Sequence, residues 1–366
     1  MRTRRCSRRL SDARSGTVRA EHVPYMPVAC ALLALVGCVE PTNSGGPSGR
    51  DDAAARAMDY LKAALRYESN PAVRVQAVEA LQDSDDPGAL PWIRSAILDD
   101  HPGVRFAACL AVGRNRDAGG GAGVDQCLAD PDPSVRLAAI YARHRLGRTD
   151  RTGDLAGALL THTDPAVRRN AALILGLLGE PAGIRVLAKA MKDSDLGVRR
   201  HALEAMAKLG NAEAKQELVF LANSGVGADE LFAVSALADT CDPHLADAYG
   251  YKLENAEHVE TRLAAARALG LLGNATGFQS ALSALRSPKA TSTDPADPAP
   301  AQELRIQQLA AGALGAMRQP RALGDLRRVM DGSVDPRVQV SAAKAIVNIT
   351  GPPPSVDAPF AQSQRR

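Results

Sequence analysis

The apolar positions of the chain fall into one helical stripe written nine times. Each stripe closes on an Ala followed by a larger residue, the latter being Leu81, Val112, Arg143, Leu175, Met206, Leu237, Leu269, Leu314 and Ile346. Ile174 is the single departure from Ala in the first place. Successive marks lie 31 or 32 residues apart, with one step of 45. Four residues before every mark stands an Ala: Ala77, Ala108, Ala139, Ala171, Ala202, Ala233, Ala265, Ala310 and Ala342. Eight before it stand Val73, Val104, Val135, Val167, Val198 and Val338, with Asp229, Thr261 and Ile306 in the remaining three. At 3.6 residues per turn these positions share one face, and small side chains on it let two helices approach closely. No alternation of period two is sustained, so no strands are expected.

Punctuation around the stripe predicts where each helix starts and stops. Asn70-Pro71, His101-Pro102, Asp132-Pro133, Asp164-Pro165 and Asp335-Pro336, with Asp195-Leu196 as a variant, place a polar acceptor at the N-cap. Pro next to it gives up an amide that had no partner. Gly113, Gly147, Gly179, Gly210 and Gly273 read as left-handed stops. A second amphipathic stretch, such as Gly183 to Lys192, precedes the next cap. Each unit is therefore a pair of antiparallel helices that buries its apolar face only on its neighbours. The long step coincides with a Pro/Asp/Ala/Ser/Thr stretch at 287–301, read as a loop insertion in the eighth repeat with few contacts of its own.

The run Asp164-Pro-Ala-Val-Arg-Arg-Asn-Ala-Ala-Leu-Ile-Leu-Gly-Leu-Leu-Gly179 resembles a HEAT repeat of the short 31-residue kind found in phycobilin lyases. The resemblance covers about residues 54–350. It implies an all-α fold, a right-handed α-solenoid of about nine antiparallel helix pairs of the HEAT/armadillo type. It also implies that the Asp before the turn and the Arg after Val stack between neighbouring repeats. That Arg is kept as Arg74, Arg105, Arg136, Arg168, Arg199 and Arg262 and replaced by Glu230, Gln307 and Gln339. A looser joint is expected from repeat six onward.

Composition adds an address rather than a chemistry. Lys+Arg 44 against Asp+Glu 41 gives +3, and residues 1–37 alone carry seven Arg against Asp12 and Glu21. The body is thus close to neutral, and aromatic residues make up only 3%. A nucleic-acid groove built on basic charge and stacked rings is excluded. Behind the Arg-rich segment runs Val28-Ala-Cys-Ala-Leu-Leu-Ala-Leu-Val36, too short to span a bilayer and right for a signal-peptide core. It ends in Leu35-Val36-Gly37-Cys38, which resembles the lipobox of bacterial lipoproteins. The expected division is a lipoprotein signal at 1–37, acylation at Cys38 and a flexible tether over 38–53. The repeats and a disordered tail at 351–366 follow. A secretory signal without lipid, or a start at Met26, would read the same residues without an anchor. The resemblance places the chain at the bacterial cell envelope.

Catalytic motifs are sparse. HEAT-type deoxyhypusine hydroxylases hold iron through His-Glu dipeptides, and this chain has none; Glu257-His258 has the reverse order. His101, His162, His201 and His244 lack carboxylates at ligand spacing and read as surface or capping residues. Cys109, Cys127 and Cys241 form no CxxC, so neither a zinc ribbon nor a disulfide framework is indicated. Gly119 to Gly123 has no strand ahead of it and reads as a linker. No metal, cofactor, nucleic acid or small-molecule substrate is indicated. The expected function is a non-catalytic protein-binding scaffold with an unidentified partner. The alternatives are a bilin lyase-like enzyme, with Tyr141, Arg143 and His144 as candidate ligand contacts, and a structural spacer.

A partner surface is expected opposite the buried stripe, two and six residues after the Val position. There Phe106, Leu110, Leu137, Tyr141, Arg169 and Leu173 form a largely apolar strip, with Arg200 and Glu204 as its polar rim. Packing against the next repeat is the competing explanation for the same residues.

Overall fold

A computed structural model describes residues 47–292 and 295–352, and every regular element among them is helical. One set of helices comprises α2 (Pro71–Gln82), α4 (Pro102–Arg114), α6 (Pro133–Arg145), α8 (Pro165–Leu178), α10 (Leu196–Lys208), α12 (Gly227–Ala238), α14 (Val259–Leu271), α16 (Ala299–Met317) and α18 (Pro336–Thr350). The other set alternates with it: α1 (Pro47–Ala64), α3 (Leu90–Ser95), α5 (Gly121–Cys127), α7 (Gly153–Thr161), α9 (Ile184–Ala190), α11 (Ala212–Leu221), α13 (Ala246–Asn255), α15 (Phe278–Arg286) and α17 (Leu323–Gly332). Each odd helix packs against the even helix that follows it, which makes nine pairs.

The even helices form a continuous inner layer, since each packs on the even helix of the next repeat. Odd helices of successive repeats barely meet, apart from α7 and α9, so they splay on the convex side. The Ala stripe is what permits the inner contact: the nine Ala from Ala77 to Ala342 are all fully buried. Starts follow the caps read from sequence. Asn70, Asp132, Asp164 and Asp335 accept from the amide two residues on, and Asp195 from that of Val198.

Stops differ in one respect. Gly147, Gly179, Gly210 and Gly273 do take positive φ, but Gly113 is helical and its place is taken by Arg116 (φ 50°). Asp85 (φ 54°), Cys241 (φ 50°) and Arg318 (φ 54°) occupy the same repeat position. All eight lie twelve residues after the Val position, so the turn geometry, not glycine, is what repeats. Gly113 serves another end: a Cβ there would sit 2.8 Å from Ala142 Cα and 2.7 Å from the Tyr141 ring. Gly176 likewise leaves room for Ala205, at 2.9 Å. Gly270 and Gly315, like Gly113 and Gly176 one residue after the mark, leave the same room for Met317 and Ala345 of the next inner helix.

The stack closes on itself. Behind α16, α18 packs on both α1 and α2, so the inner layer runs from the ninth repeat back to the first. Ala53, Ala57 and Leu61 of α1 are fully buried. Arg50 donates to the carbonyl of Ile349 at 2.7 Å, the Tyr60 hydroxyl to Gln339 Oε1 at 2.8 Å, and Lys344 pairs with Asp83 at 2.8 Å. Burial pushes the Tyr60 phenol up to about 12. Arg56–Asp331 at 3.1 Å and Arg327–Asp52 at 3.3 Å fasten the outside of the same joint. The expected tether over 38–53 is corrected accordingly. Residues 47–53 belong to α1, because Ala53, Ala57, Leu61 and Ala64 repeat at helical spacing and need a partner. Cys38 and the expected signal and tail, except 351–352, lie outside the described residues.

Candidate functional site

Three kinds of polar site are built on the ring. The first is the Arg ladder. Arg74, Arg105, Arg136, Arg168, Arg199 and Arg262 each use Nη1 to bond two carbonyls of the turn entering their own helix; for Arg105 these are Asp99 and Asp100, both at 3.0 Å. Three of the six also make a fork-on-fork pair with an Asp of the next repeat. These are Arg74–Asp99, Arg105–Asp130 and Arg168–Asp193, with bonds of 2.7–2.9 Å. Such planar pairs hold direction as well as charge. The ladder breaks earlier than expected from the loss of Arg alone. Arg136 and Arg199 are present, but Thr161 and Ser224 stand where the Asp would be.

The second lies on the inner face. Among the residues of the expected partner strip, Phe106, Leu110 and Leu173 are half-buried. Leu137 and Tyr141 are buried at 5% and 2% exposure, a correction to the exposed strip. The Tyr141 ring fills the gap over Gly113 in the neighbouring helix. Arg169 pairs with Asp195 at 3.2 Å, and Arg200 pairs with Asp229 while stacking over Phe232 at 5.4 Å. Glu204 accepts from Lys208 at 2.6 Å. Of the polar rim, Arg200 is therefore spent on joining repeats and Glu204 is paired within its own helix.

One turn further along the inner helices, Asp83, Arg114, Lys208 and Asp239 share the position ten after the Val, and they meet Arg267 and Lys344, which stand six after theirs. Lys208 reaches Asp239 at 3.0 Å, and Arg267 meets the same carboxylate at 2.9 Å. Burial works against the Lys208 ammonium, but the charges of Asp239 and Glu204 overcome it and its pKa ends raised. Across the ring, Asp83 is clasped by Lys344 and, at 3.6 Å, by Arg114. The neighbouring Glu79 side chain is open to the lumen, yet the surrounding helices withdraw enough water to push its carboxyl up. α10 and α12 touch more sparingly than any other neighbouring inner pair, and there the charges replace apolar contact.

The third site is on the outside, at repeats six and seven. Phe220 at the end of α11, Val226 in the following turn and Tyr251 on α13 are 75%, 53% and 62% exposed. Tyr251 lines a cleft of about 200 Å³ with Gly225, Glu230, Lys252 and Asn255. Its floor is the ion pair Lys252–Glu230 at 3.1 Å, both nearly buried, where Glu230 has replaced the ladder Arg.

Histidines behave as the sequence suggests: His101 Nδ1 accepts from Gly103 and His162 Nδ1 from Asp164, both at 3.1 Å. His144 pairs with Glu180 at 2.8 Å and Arg143 with Asp125 at 2.6 Å, so the candidate ligand contacts on α6 are engaged within the fold. Among the described residues no group of three or more His, Cys, Asp or Glu converges that could hold a metal.

A family model for HEAT repeats matches residues 58–143, 122–187 and 154–238, from α1 to α12. The chain is a HEAT-repeat protein. Its HEAT repeats beyond residue 238 depart most from the pattern, with Thr261 and Ile306 for Val and the insertion before α16. Among solved structures, human deoxyhypusine hydroxylase in complex with glycerol is 18% identical over 83% of this chain and 99% of its own, with a TM-score of 0.36. The CpcE and CpcF complex of phycocyanin lyase from Nostoc sp. PCC7120 is 18% identical over 76% of this chain and 100% of its own, with a TM-score of 0.40. No curated protein matches the chain.

Proposed function

We propose that the HEAT ring is a non-catalytic protein-binding scaffold, held at a bacterial envelope membrane by acylation of Cys38. The observation that supports a binding role is the outer group at repeats six and seven. Phe220, Val226 and Tyr251 remain exposed, with Tyr251 lining the cleft, while the large apolar side chains of the inner layer are mostly buried. Aromatic side chains beside a concavity, edged by charge, are the usual anchors of protein interfaces. The anchor rests on the lipobox-like Leu35-Val36-Gly37-Cys38.

The test is cross-linking of the full chain in its native envelope, with Phe220→Ser plus Tyr251→Ser as the comparison. A cross-linked species present in wild type and lost in the double variant, with helicity unchanged, is the expected result. An unchanged cross-linking profile would place the partner elsewhere. An absorbance shift of an added bilin would favour chromophore chemistry. For the anchor, metabolic acyl labelling and detergent partitioning should both be lost in Cys38→Ala; unlabelled wild-type protein in the aqueous phase would remove the lipoprotein reading.

A further inference from the structure

The Arg105–Asp130 pair fixes the register between repeats two and three, and it brings two cysteines together. Cys109 lies one helical turn after Arg105 on α4, and Cys127 three residues before Asp130 at the end of α5. Both are in the core, at 0% and 5% exposure, and α4 packs on α5. In the two other complete rungs the equivalent positions hold Val78 with Ala96 and Ala172 with Ala190, all buried. The place that elsewhere carries a plain apolar contact carries here a pair of facing thiols.

We propose that Cys109 and Cys127 are a redox-active thiol pair whose oxidation to an intramolecular disulfide joins repeat two covalently to repeat three. The two sulfurs have unequal parts. Cys127, at the end of α5, is the less buried of the two and the one a soluble disulfide meets first. The neighbouring Cys109 thiol lowers the Cys127 pKa and the Arg105 charge adds to this, against the opposing effects of burial and Asp130. Cys109, beside Cys127 and fully buried, is pushed the other way. Cys127 is therefore the attacking thiolate and Cys109 the resolving thiol.

With a small-molecule disulfide such as oxidised glutathione, Cys127 attacks one sulfur and expels a glutathione thiolate. Cys109 then loses its proton and attacks the Cys127 sulfur, forming the Cys109–Cys127 bond and expelling the second glutathione. Two protein thiols are oxidised and one glutathione disulfide is reduced. Entry to the pair comes through α5, a seven-residue helix that contains Gly121 and Gly123 and follows Gly119-Gly120. Glycine at that density weakens a helix and lets it open locally.

The test incubates the purified full chain with oxidised glutathione, then denatures it, blocks free thiols with N-ethylmaleimide and maps the peptides by mass. A linked pair of Cys109 and Cys127 peptides, about 2 Da below the sum of the free ones and separated again by dithiothreitol, is expected. Cys109→Val with Cys127→Ala, the pair used by the first rung, should keep wild-type helicity and melting and give no such link. Complete N-ethylmaleimide labelling of both cysteines overturns the proposal. So does a glutathione adduct on Cys127 that never resolves, or a link from either cysteine to the exposed Cys241.

Discussion

Arg105 holds three groups from two turns of chain at once: two carbonyls entering its own helix and a carboxylate from the next repeat. The same economy operates at Asp193, which accepts from Arg168 and from the amide of Asp195. The Arg168 hydrogen bonds keep the Asp193 carboxyl below its usual pKa. A carboxyl depressed in the fold contributes stability above its unfolded pKa, about 3.9, and loses it as pH falls through the folded value. Asp193→Asn should therefore cost on the order of 1–2 kcal/mol at pH 7. The gap to wild type should close progressively below about pH 4. Chemical denaturation at both pH values measures this, and a gap independent of pH would contradict the assignment. The left-handed residues give a prediction of opposite sign. A non-glycine residue in that conformation is strained by about 1 kcal/mol. Cys241→Gly should recover a good part of that and raise the melting midpoint, whereas the same change at a right-handed position such as Cys109 should lower it.

Among the elements, the inner helices were the most legible in the sequence, because their Ala stripe, caps and period all report one physical requirement, close packing at fixed intervals. Gly113 was misread because a Gly near a helix end satisfies two demands, a left-handed turn or a missing Cβ, that look alike without the neighbouring helix. Gly176→Ala tests the second demand: its Cβ would meet Ala205 at 2.9 Å and should destabilise the fold by about 1–3 kcal/mol on thermal melting. The insertion in repeat eight was also misjudged. It is fastened by Gln302, whose Oε1 accepts from Thr291 and Ser292 at 2.7 and 2.8 Å and whose Nε2 donates to Glu260 at 2.9 Å. Arg305 bonds Glu260 and Asp297 as well. Deleting Lys289–Pro300 should cost on the order of 2 kcal/mol rather than little, since it would strand these buried groups; an unchanged midpoint would show that they find water instead. Composition reads 287–301 as a loop, whereas 299–301 already belong to α16, and the segment's ties depend on partners 42 residues away, such as Glu260, that local sequence does not announce.

For the whole molecule, the repeat count was legible and the meeting of its ends was not, because closure is set by the small rotation between repeats, which no single position encodes. The inner strip was half-legible for the same reason. Its apolar character shows in the sequence, while the turn of one helix against the next decides that Tyr141 is covered and Phe106 only half so. Closure has a consequence for the way the chain comes apart. An open stack melts by fraying, since a terminal repeat leaves at the cost of one interface. In this ring the first repeat to leave must break two, at whichever point unfolding begins. Start and finish of the covalent chain also become interchangeable. A circular permutant that joins residue 352 to residue 47 through a short linker and opens at Gly225, beside the sparse α10–α12 joint, should keep wild-type helicity and one sharp melting transition. Removing α1 should instead produce a broad transition at lower temperature, because it restores the one thing the ring does not possess, a first repeat with a bare edge.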